Sequence, residues 1–459
     1  MSFDRRDLLI AVALFFLALV VNLSHIAGTE FHRDEARWIH RARFVEQLAN
    51  PVGPYWQERD LLRGQPPVGS YLMGIGLMAQ GRDLATNGLW NFNFGERWNR
   101  RHGRMPSMAD LVAARRTNAF VGALIAATIF GIGRRLSGRL AGIVAALMLI
   151  FHPLSIYLSS LAGSDAVLTL LVALATLAAI TLADRPTWGR SLLLGALLGL
   201  GGAAKLSPLL LAVPLGGLGL LLAWAGWRRR DGVATALGWR LLPLPIVAVA
   251  TFIASYPYLW PDPVRRSVLL FTFRAREMAS QGQIWDDLNV TSRADALSRV
   301  GRWLGEEFST TGSLASWVAG RLGLAWEPAG IDLLLALAGG LVLAATTLRG
   351  GWRSRHLLAV VVLGGQVAAI VLGMRADFER YLYPVVLAEM LGVGILIGSV
   401  GAVVGFSLRV LGWSGLGWSR QAWKRDKLGG SGPLVAERQP VSAEALPLGG
   451  PWLTGGDGR

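Results

Sequence analysis

The sequence has no cysteine, so disulfides, thiol nucleophiles and thiolate metal sites are excluded. Its six histidines are scattered, which speaks against a histidine-rich metal centre. Charge is scarce as well. Only 16% of the 459 residues are charged, against roughly 25% in soluble globular proteins. What fills the gap is apolar: 53% of residues, with a mean hydropathy of +0.43. The apolar residues come in long blocks with charges confined between them, the pattern of a chain that crosses a membrane many times. Composition excludes intrinsic disorder, coiled coil and collagen. The net charge of +15 is almost all arginine and sits mainly in short turns between apolar blocks. Topology and anionic headgroups account for it, and nucleic acid is not an expected partner.

Ten apolar blocks are long enough, or nearly so, to cross a bilayer. They lie near 8–26, 117–133, 140–158, 166–183, 191–204, 206–227, 241–258, 331–348, 357–374 and 381–408. Residues 191–227 as one helix would run ~55 Å against a ~30 Å hydrocarbon core. That stretch must turn back, and Lys205-Leu206-Ser207-Pro208 is the polar, proline-containing place to do so. Alternation from a cytoplasmic N-terminus puts the arginine-rich turns inside: Arg134/Arg135/Arg139, Arg185/Arg190, Arg228–Arg230 with Arg240, Arg349/Arg353/Arg355, and 420–427. Two long polar segments, 28–116 and 259–330, then lie outside. Residues 1–427 are expected to form one membrane domain and 428–459, rich in Gly, Pro and Ser, a disordered cytoplasmic tail.

Candidate chemistry gathers on the outer face. Asp34 and Glu35 follow the first span by a few residues. Residues 35–48 read as a helix lying on the membrane, with Trp38, Ala42, Val45 and Leu48 on its apolar side and Arg and Glu opposite. A cap role for Asp34 would need no chemistry at all. Gln65-Pro66-Pro67 forces a rigid entry into the next helix. Asp165 ends the turn Ser159–Ser164 and could also be only a cap. Lys205 lies at the outer end of its hairpin, and Glu389 lies roughly 12 Å inside the last span, where an ionisable group is a functional candidate.

In order and in membrane face, these words resemble the polyprenyl-phosphate-sugar-dependent C-type (GT-C) glycosyltransferases, which include protein O-mannosyltransferases and lipid A aminoarabinose transferases. Asp34-Glu35-Ala36-Arg37 is similar to their acidic motif and Gln65-Pro66-Pro67-Val68-Gly69-Ser70-Tyr71 to their basic-Pro-Pro loop. Arg115-Arg116-Thr117-Asn118 through Gly142 is similar to their second span and its turn, and His152-Pro153 through Asp165 to a second acidic site. Lys205-Leu206-Ser207-Pro208, Tyr256–Pro263 and Arg380-Tyr381-Leu382-Tyr383-Pro384 continue the match, which covers about 8–400.

The resemblance implies an all-α polytopic GT-C fold with about ten transmembrane helices and two large extracytoplasmic loops. It implies transfer of a sugar from a polyprenyl-phosphate donor to an acceptor hydroxyl of a protein, lipid or glycan, with inversion and without a covalent enzyme intermediate. Asp34 would be the general base, with Glu35 and Asp165 orienting base, acceptor or sugar. Arg380 and Lys205 would hold the donor phosphate, with Arg265 or Arg274 in reserve and Gln65 donating hydrogen bonds. Gln65 departs from the family, which usually has a basic residue there. No cofactor is required, which leaves room for a divalent metal. Arginine-rich, lysine-poor usage points to a bacterial plasma membrane with an extracytoplasmic site.

Two rivals are weighed against this. A transporter or flippase would place charges midway through broken helices, and a non-catalytic scaffold would not need acids and arginines gathered at one face. The segment 81–106, with Trp90, Phe92, Phe94 and Trp98, has no counterpart in the family pattern. It either shapes an acceptor site or, as preferred, covers the apolar floor of its own loop.

Overall fold

The computed structural model describes residues 4–410 apart from 58, 285, 326–329 and 352–353. The expected tail at 428–459 and the basic set at 420–427 lie outside the described residues. The chain divides into a unit Met1–Gly405, which holds the membrane helices and both long polar segments, and a unit Phe406–Arg459.

The described residues are helical, with a single isolated bridge between Asn289 and Ala376 and no strand. Among the described residues eight helices are long and apolar enough to cross a membrane: Arg5–Gly28, Met108–Ser137, Asp165–Asp184, Ser207–Arg229, Gly232–Ala254, Asp332–Gly350, Arg355–Gly373 and Glu379–Val404. A pair, Arg139–Ile150 and Pro153–Ser160, is apolar enough together to make a ninth span or a re-entrant loop and is bent by 62°. The bend has a local cause. Pro153 offers no N–H, and its ring keeps the preceding residue out of the helical region, so His152 is extended (φ −73°, ψ 124°). The helix Trp188–Gly202 corresponds to the tenth expected block, but its 15 residues reach only ~22 Å. Ten is therefore approximate: among the described residues eight helices can cross, or nine if the bent pair is one span.

Close packing of these helices depends on small residues, as expected where lipid supplies no hydrophobic drive between them. Met108–Ser137 and Arg139–Ile150 are joined through Gly138 alone, at φ +101°, a conformation that costs a side chain dearly. Just above the turn, a Cβ on Gly133 would stand 2.8 Å from the Cα of Gly142. At this end Asp7, fully buried, accepts from Arg134 Nε (3.0 Å) and Arg139 Nε (2.6 Å). The N-terminus and the first arginine turn thus share one face, as the alternation of spans requires.

The opposite face carries both long segments. The Met108–Ser137 helix begins nine residues earlier than the apolar pattern indicated; at 30 residues, or ~45 Å, it outruns the hydrocarbon core by several turns. Arg115 lies on this extension. The surface helix expected over 35–48 is broken into Arg33–His40, a tight turn Arg41–Arg43 and Phe44–Gln47. Its amphipathic assignment needs correction. Trp38 and Ala42 are buried as expected and Leu48 is exposed, but Arg41, expected on the polar side, is fully buried. Its guanidinium donates to the carbonyls of Leu61 (3.0 Å) and Gln65, tying the helix to the proline-pair loop. Glu389 is buried in the last span with neither carboxylate oxygen bonded.

Candidate active site

The helix Arg33–His40 is capped by His32, whose ring Nδ1 accepts from the Asp34 N–H (3.2 Å). Asp34 is therefore not the cap, and its carboxylate is free to face elsewhere. Glu35 is held from four directions. Arg115 donates through Nε (2.8 Å) and Nη2 (2.7 Å), and the backbone N–H groups of Ala162 (2.9 Å) and His32 (3.0 Å) complete the set. Arg115 spends its remaining donors on the carbonyls of Ile26 (3.0 Å), Thr29 (2.7 Å) and Glu30 (2.9 Å). Every acceptor direction of a carboxylate is used. Of the roles expected for Glu35, contact with acceptor or sugar is closed off by this saturation. What it does is clamp the start of the loop, the long Met108–Ser137 helix and the Ala162 turn into one unit, and so fix Asp34.

Asp165 opens the helix Asp165–Asp184; Ser164 precedes it as the cap residue but makes no side-chain cap bond. The turn before it is pinned by Asn118, which donates to Leu161 (2.5 Å) and Gly163 (2.9 Å) carbonyls. The helix Val68–Ala79 after the proline pair comes so close that a Cβ on Gly69 would lie 2.6 Å from Ser164 Cβ. Val68 N–H reaches the Ala203 carbonyl (2.9 Å), joining the loop to the hairpin that carries Lys205. Lys205 pairs with Asp165, and Arg380 pairs with Asp34. Arg380 stands in the turn Glu379–Leu382 at the head of the last span. The next helix is braced there by Tyr383, whose hydroxyl lies 3.1 Å from Ser155 Oγ and 2.8 Å from Ser159 Oγ.

The two ion pairs are neighbours. The Tyr381 ring centroid is 5.2 Å from Lys205 Nζ and 5.8 Å from the Arg380 guanidinium, which also stands 4.9 Å from the Phe378 ring. A narrow cleft of ≈30 Å³ is lined by Asp34, Asp165, Glu379, Arg380, Tyr157 and His32, with Glu35, Trp38, Leu158, Leu161, Ala162 and Gly163 completing its wall; Lys205 is not among the lining residues. Burial opposes ionisation of Asp34, but the positive charge of Arg380, with His32 behind it, outweighs burial and holds the carboxyl below its usual range. For Lys205 burial wins over the pull of Asp165, and the ammonium lies below the usual lysine range.

The remaining expectations divide. Arg274 is half-buried, donates to the Gly64 carbonyl (2.8 Å) and pairs with Glu277, and its charge is felt at Lys205 and Tyr381. Arg265 is corrected. It is exposed, its backbone N–H bonds Asp262 (3.0 Å), and it does not line the cleft. Its neighbour Arg266 turns inward instead, donating to Trp56 (3.2 Å) and Tyr258 (2.5 Å) carbonyls. Gln65 also is not among the lining residues; it takes part through its carbonyl, which Arg41 and Tyr256 (3.4 Å) bond. Three contributors went unassigned at the level of sequence: Arg115, Tyr381 and His32. The first two lay inside quoted motifs, and nothing local to His32 marked it as a cap. Among the described residues no three His, Asp or Glu side chains converge as a metal site.

Comparison with known proteins agrees with this architecture. The family model described as dolichyl-phosphate-mannose-protein mannosyltransferase matches residues 45–255. No curated protein sequence matches the chain. The chain is similar to the oligosaccharyltransferase of Archaeoglobus fulgidus solved with Zn and sulfate, at 12% identity and TM-score 0.52, covering 89% of this chain and 51% of that one. It is similar also to ArnT from Cupriavidus metallidurans bound to undecaprenyl phosphate (17% identity, TM-score 0.49, 91% and 62% covered). A further match is the S. cerevisiae protein O-mannosyltransferase Pmt1-Pmt2 complex bound to the sugar donor (16%, 0.41, 57% and 34%). The chain thus spans between about a third and three fifths of the length of these proteins. The chain therefore has the all-helical membrane architecture of the GT-C fold, and over residues 45–255 it is similar to the family described as dolichyl-phosphate-mannose-protein mannosyltransferase.

Proposed function

We propose that the protein transfers a sugar from a polyprenyl phosphate to an acceptor hydroxyl at the face carrying its two long loops, the extracytoplasmic face of a bacterial plasma membrane. The observation that carries this is the pairing of Asp34 with Arg380 in one cleft that Asp165 also lines, with Lys205 paired to Asp165 behind the cleft wall. A lipid-anchored phosphate arrives at just this depth, its tail in the bilayer and its charge at the surface.

Arg380 and Lys205 bind the phosphate oxygens, the guanidinium through two parallel donors and the ammonium as a point charge. Arg274 adds field from behind. The acceptor oxygen attacks the anomeric carbon from the side opposite the phosphate. As the new C–O bond forms, the bond to the phosphate oxygen breaks and its electron pair leaves with the phosphate, whose growing charge the two cations stabilise. The hydroxyl proton passes to Asp34, the general base, and configuration inverts. Asp165 holds Lys205 beside the cleft wall, and Glu35 keeps Asp34 in place through the Arg115 clamp. The match over 45–255 to a family described by its lipid-phosphate sugar donor supports the reading.

The test is transfer of radiolabelled sugar from a panel of undecaprenyl-phosphate sugars by the purified full-length chain in nanodiscs. Transfer that depends on Asp34 and Arg380 supports the assignment. Movement of lipid across the bilayer without any sugar transfer would instead make the chain a flippase.

A further inference from the structure

A second cleft adjoins the first and shares His32 with it. It is an open cleft of ≈320 Å³ lined by Phe31, His32, Arg33, Trp90, Phe92, Phe94, Gly95 and Glu96. Most of this wall comes from the 81–106 segment, which has no part in the transfer chemistry. The expectation that the segment merely covers its loop fits Trp90, which is buried against Phe31 with ring centroids 5.6 Å apart. It does not fit Phe92 and Phe94, which are 42% and 46% exposed.

The segment is also a built structure. Asn87 donates to the carbonyls of Ala36 (3.0 Å) and Arg104 (3.2 Å), and its own carbonyl lies 2.8 Å from His40 Nδ1. Asn99, fully buried, gathers the carbonyls of Asn91 (3.0 Å) and Phe94 (3.0 Å) while accepting from Asn91 N–H (2.9 Å). Phe94, Trp98 and His102 stack at 4.0 and 3.9 Å. Phe92 is flanked by the guanidinium groups of Arg37 (5.5 Å) and Arg33 (5.7 Å). The aromatic faces are therefore fixed before any ligand arrives. Two buried donors are left over at this wall, Arg37 Nε and the Trp90 indole. Trp90 is only 5% exposed, and its indole N–H has no hydrogen-bond partner. A buried indole N–H normally finds one.

We infer that this cleft is an acceptor subsite for a saccharide, so that the hydroxyl presented to Asp34 belongs to a glycan; the inference rests on the transferase reading. A pyranose offers an apolar C–H face to stack on Phe92 and Phe94, and a rim of oxygens for the Trp90 N–H and the arginines. Glu96 can accept from its hydroxyls. A peptide acceptor is less well served. Its main chain would need donors and acceptors in a row, and the described residues contain no strand edge to supply them. A sugar seated between Trp90 and Phe92 has His32 at its inner end, and Asp34 lies just beyond, with His32 Nδ1 4.0 Å from Asp34 Oδ2.

The experiment is binding of fluorescently labelled full-length protein in nanodiscs to an array of bacterial polysaccharide fragments (arabinans, mannans, rhamnans, galactans and amino-sugar oligomers), beside a set of Ser/Thr-rich peptides. Capture by at least one saccharide class is expected. It should weaken roughly three- to tenfold in Phe92→Ala and about fivefold in Trp90→Phe, which removes the N–H while keeping an aromatic ring. Undecaprenyl phosphate binding reports separately on the donor site and on folding. No saccharide capture, capture indifferent to both variants, or peptide capture that depends on Phe92 would each overturn the assignment. Loss of donor binding by the unaltered protein would overturn the transferase reading instead.

Discussion

Replacing Asp34 with Asn should separate binding from chemistry in an unusual direction. Arg380 is engaged by Asp34, and both side chains are 24% exposed. To take the phosphate, Arg380 must loosen that pair. A charge-assisted contact fully shielded from water would hold it by about 1.5–3 kcal/mol. At this exposure, screening reduces the figure to about 1 kcal/mol. The isosteric amide removes the competitor and its repulsion of the incoming phosphate, so Asp34→Asn should bind undecaprenyl phosphate about fivefold more tightly. The same variant lacks the base and should transfer sugar roughly 10²–10⁴-fold more slowly. Titration of undecaprenyl phosphate into nanodisc-embedded protein, alongside radiolabel transfer at saturating donor, reads both. Unchanged or weaker donor binding would mean that Arg380 does not exchange its carboxylate for the phosphate. Near-normal turnover would remove Asp34 from the chemistry altogether.

Other outcomes can be stated more briefly. Lys205 is pushed below the usual lysine range by burial, and its charged form is the one that holds phosphate. Donor binding should therefore be present below that pKa and lost as pH rises through it, before the ordinary ~10.4; Lys205→Arg should remove this alkaline limb, and an identical limb in both proteins would refute the assignment. Asp34 must be ionised to act and is held below ~3.9, so transfer should survive at about pH 5 and fail only on further acidification. Arg115→Met leaves Glu35 charged and buried, with the pair at 4% and 1% exposure. It should cost about 3–5 kcal/mol and lower the melting midpoint by on the order of 5 °C, followed through the chain's own tryptophan fluorescence; a midpoint within about 1 °C of the parent would show that the clamp is dispensable.

Much of the fold could be read from the sequence because lipid imposes a one-dimensional rule: a run is long and apolar, or it does not cross. The Lys205–Pro208 turn followed from length alone. Side-chain destinations did not follow in the same way. Arg41 opens a tight turn between half-buried arginines, Arg37 and Arg43, and only the carbonyls of Leu61 and Gln65 explain why it is the one fully buried. Arg265 and Arg266 are adjacent and chemically identical, and the helix phase that sends one to solvent and the other to Trp56 and Tyr258 is set by packing. Glu35 looked like a partner of Asp34 because the two are adjacent in the chain. Adjacent residues on a helix point about 100° apart, and the partner that occupies Glu35 lies 80 residues away.

The two ion pairs at the cleft also bear on which anions the protein ignores. A pocket whose cations are already neutralised exerts little pull on a passing phosphate ion, since each must displace a carboxylate a few ångströms away. A headgroup tethered to a membrane tail does not arrive by three-dimensional search; held in the plane of the bilayer, it sits at the cleft at a high effective concentration and can compete where a dissolved ion cannot. Selectivity for a lipid-borne substrate over the inorganic phosphate of the medium would then come from confinement to the membrane plane, without any contact that tells the two apart.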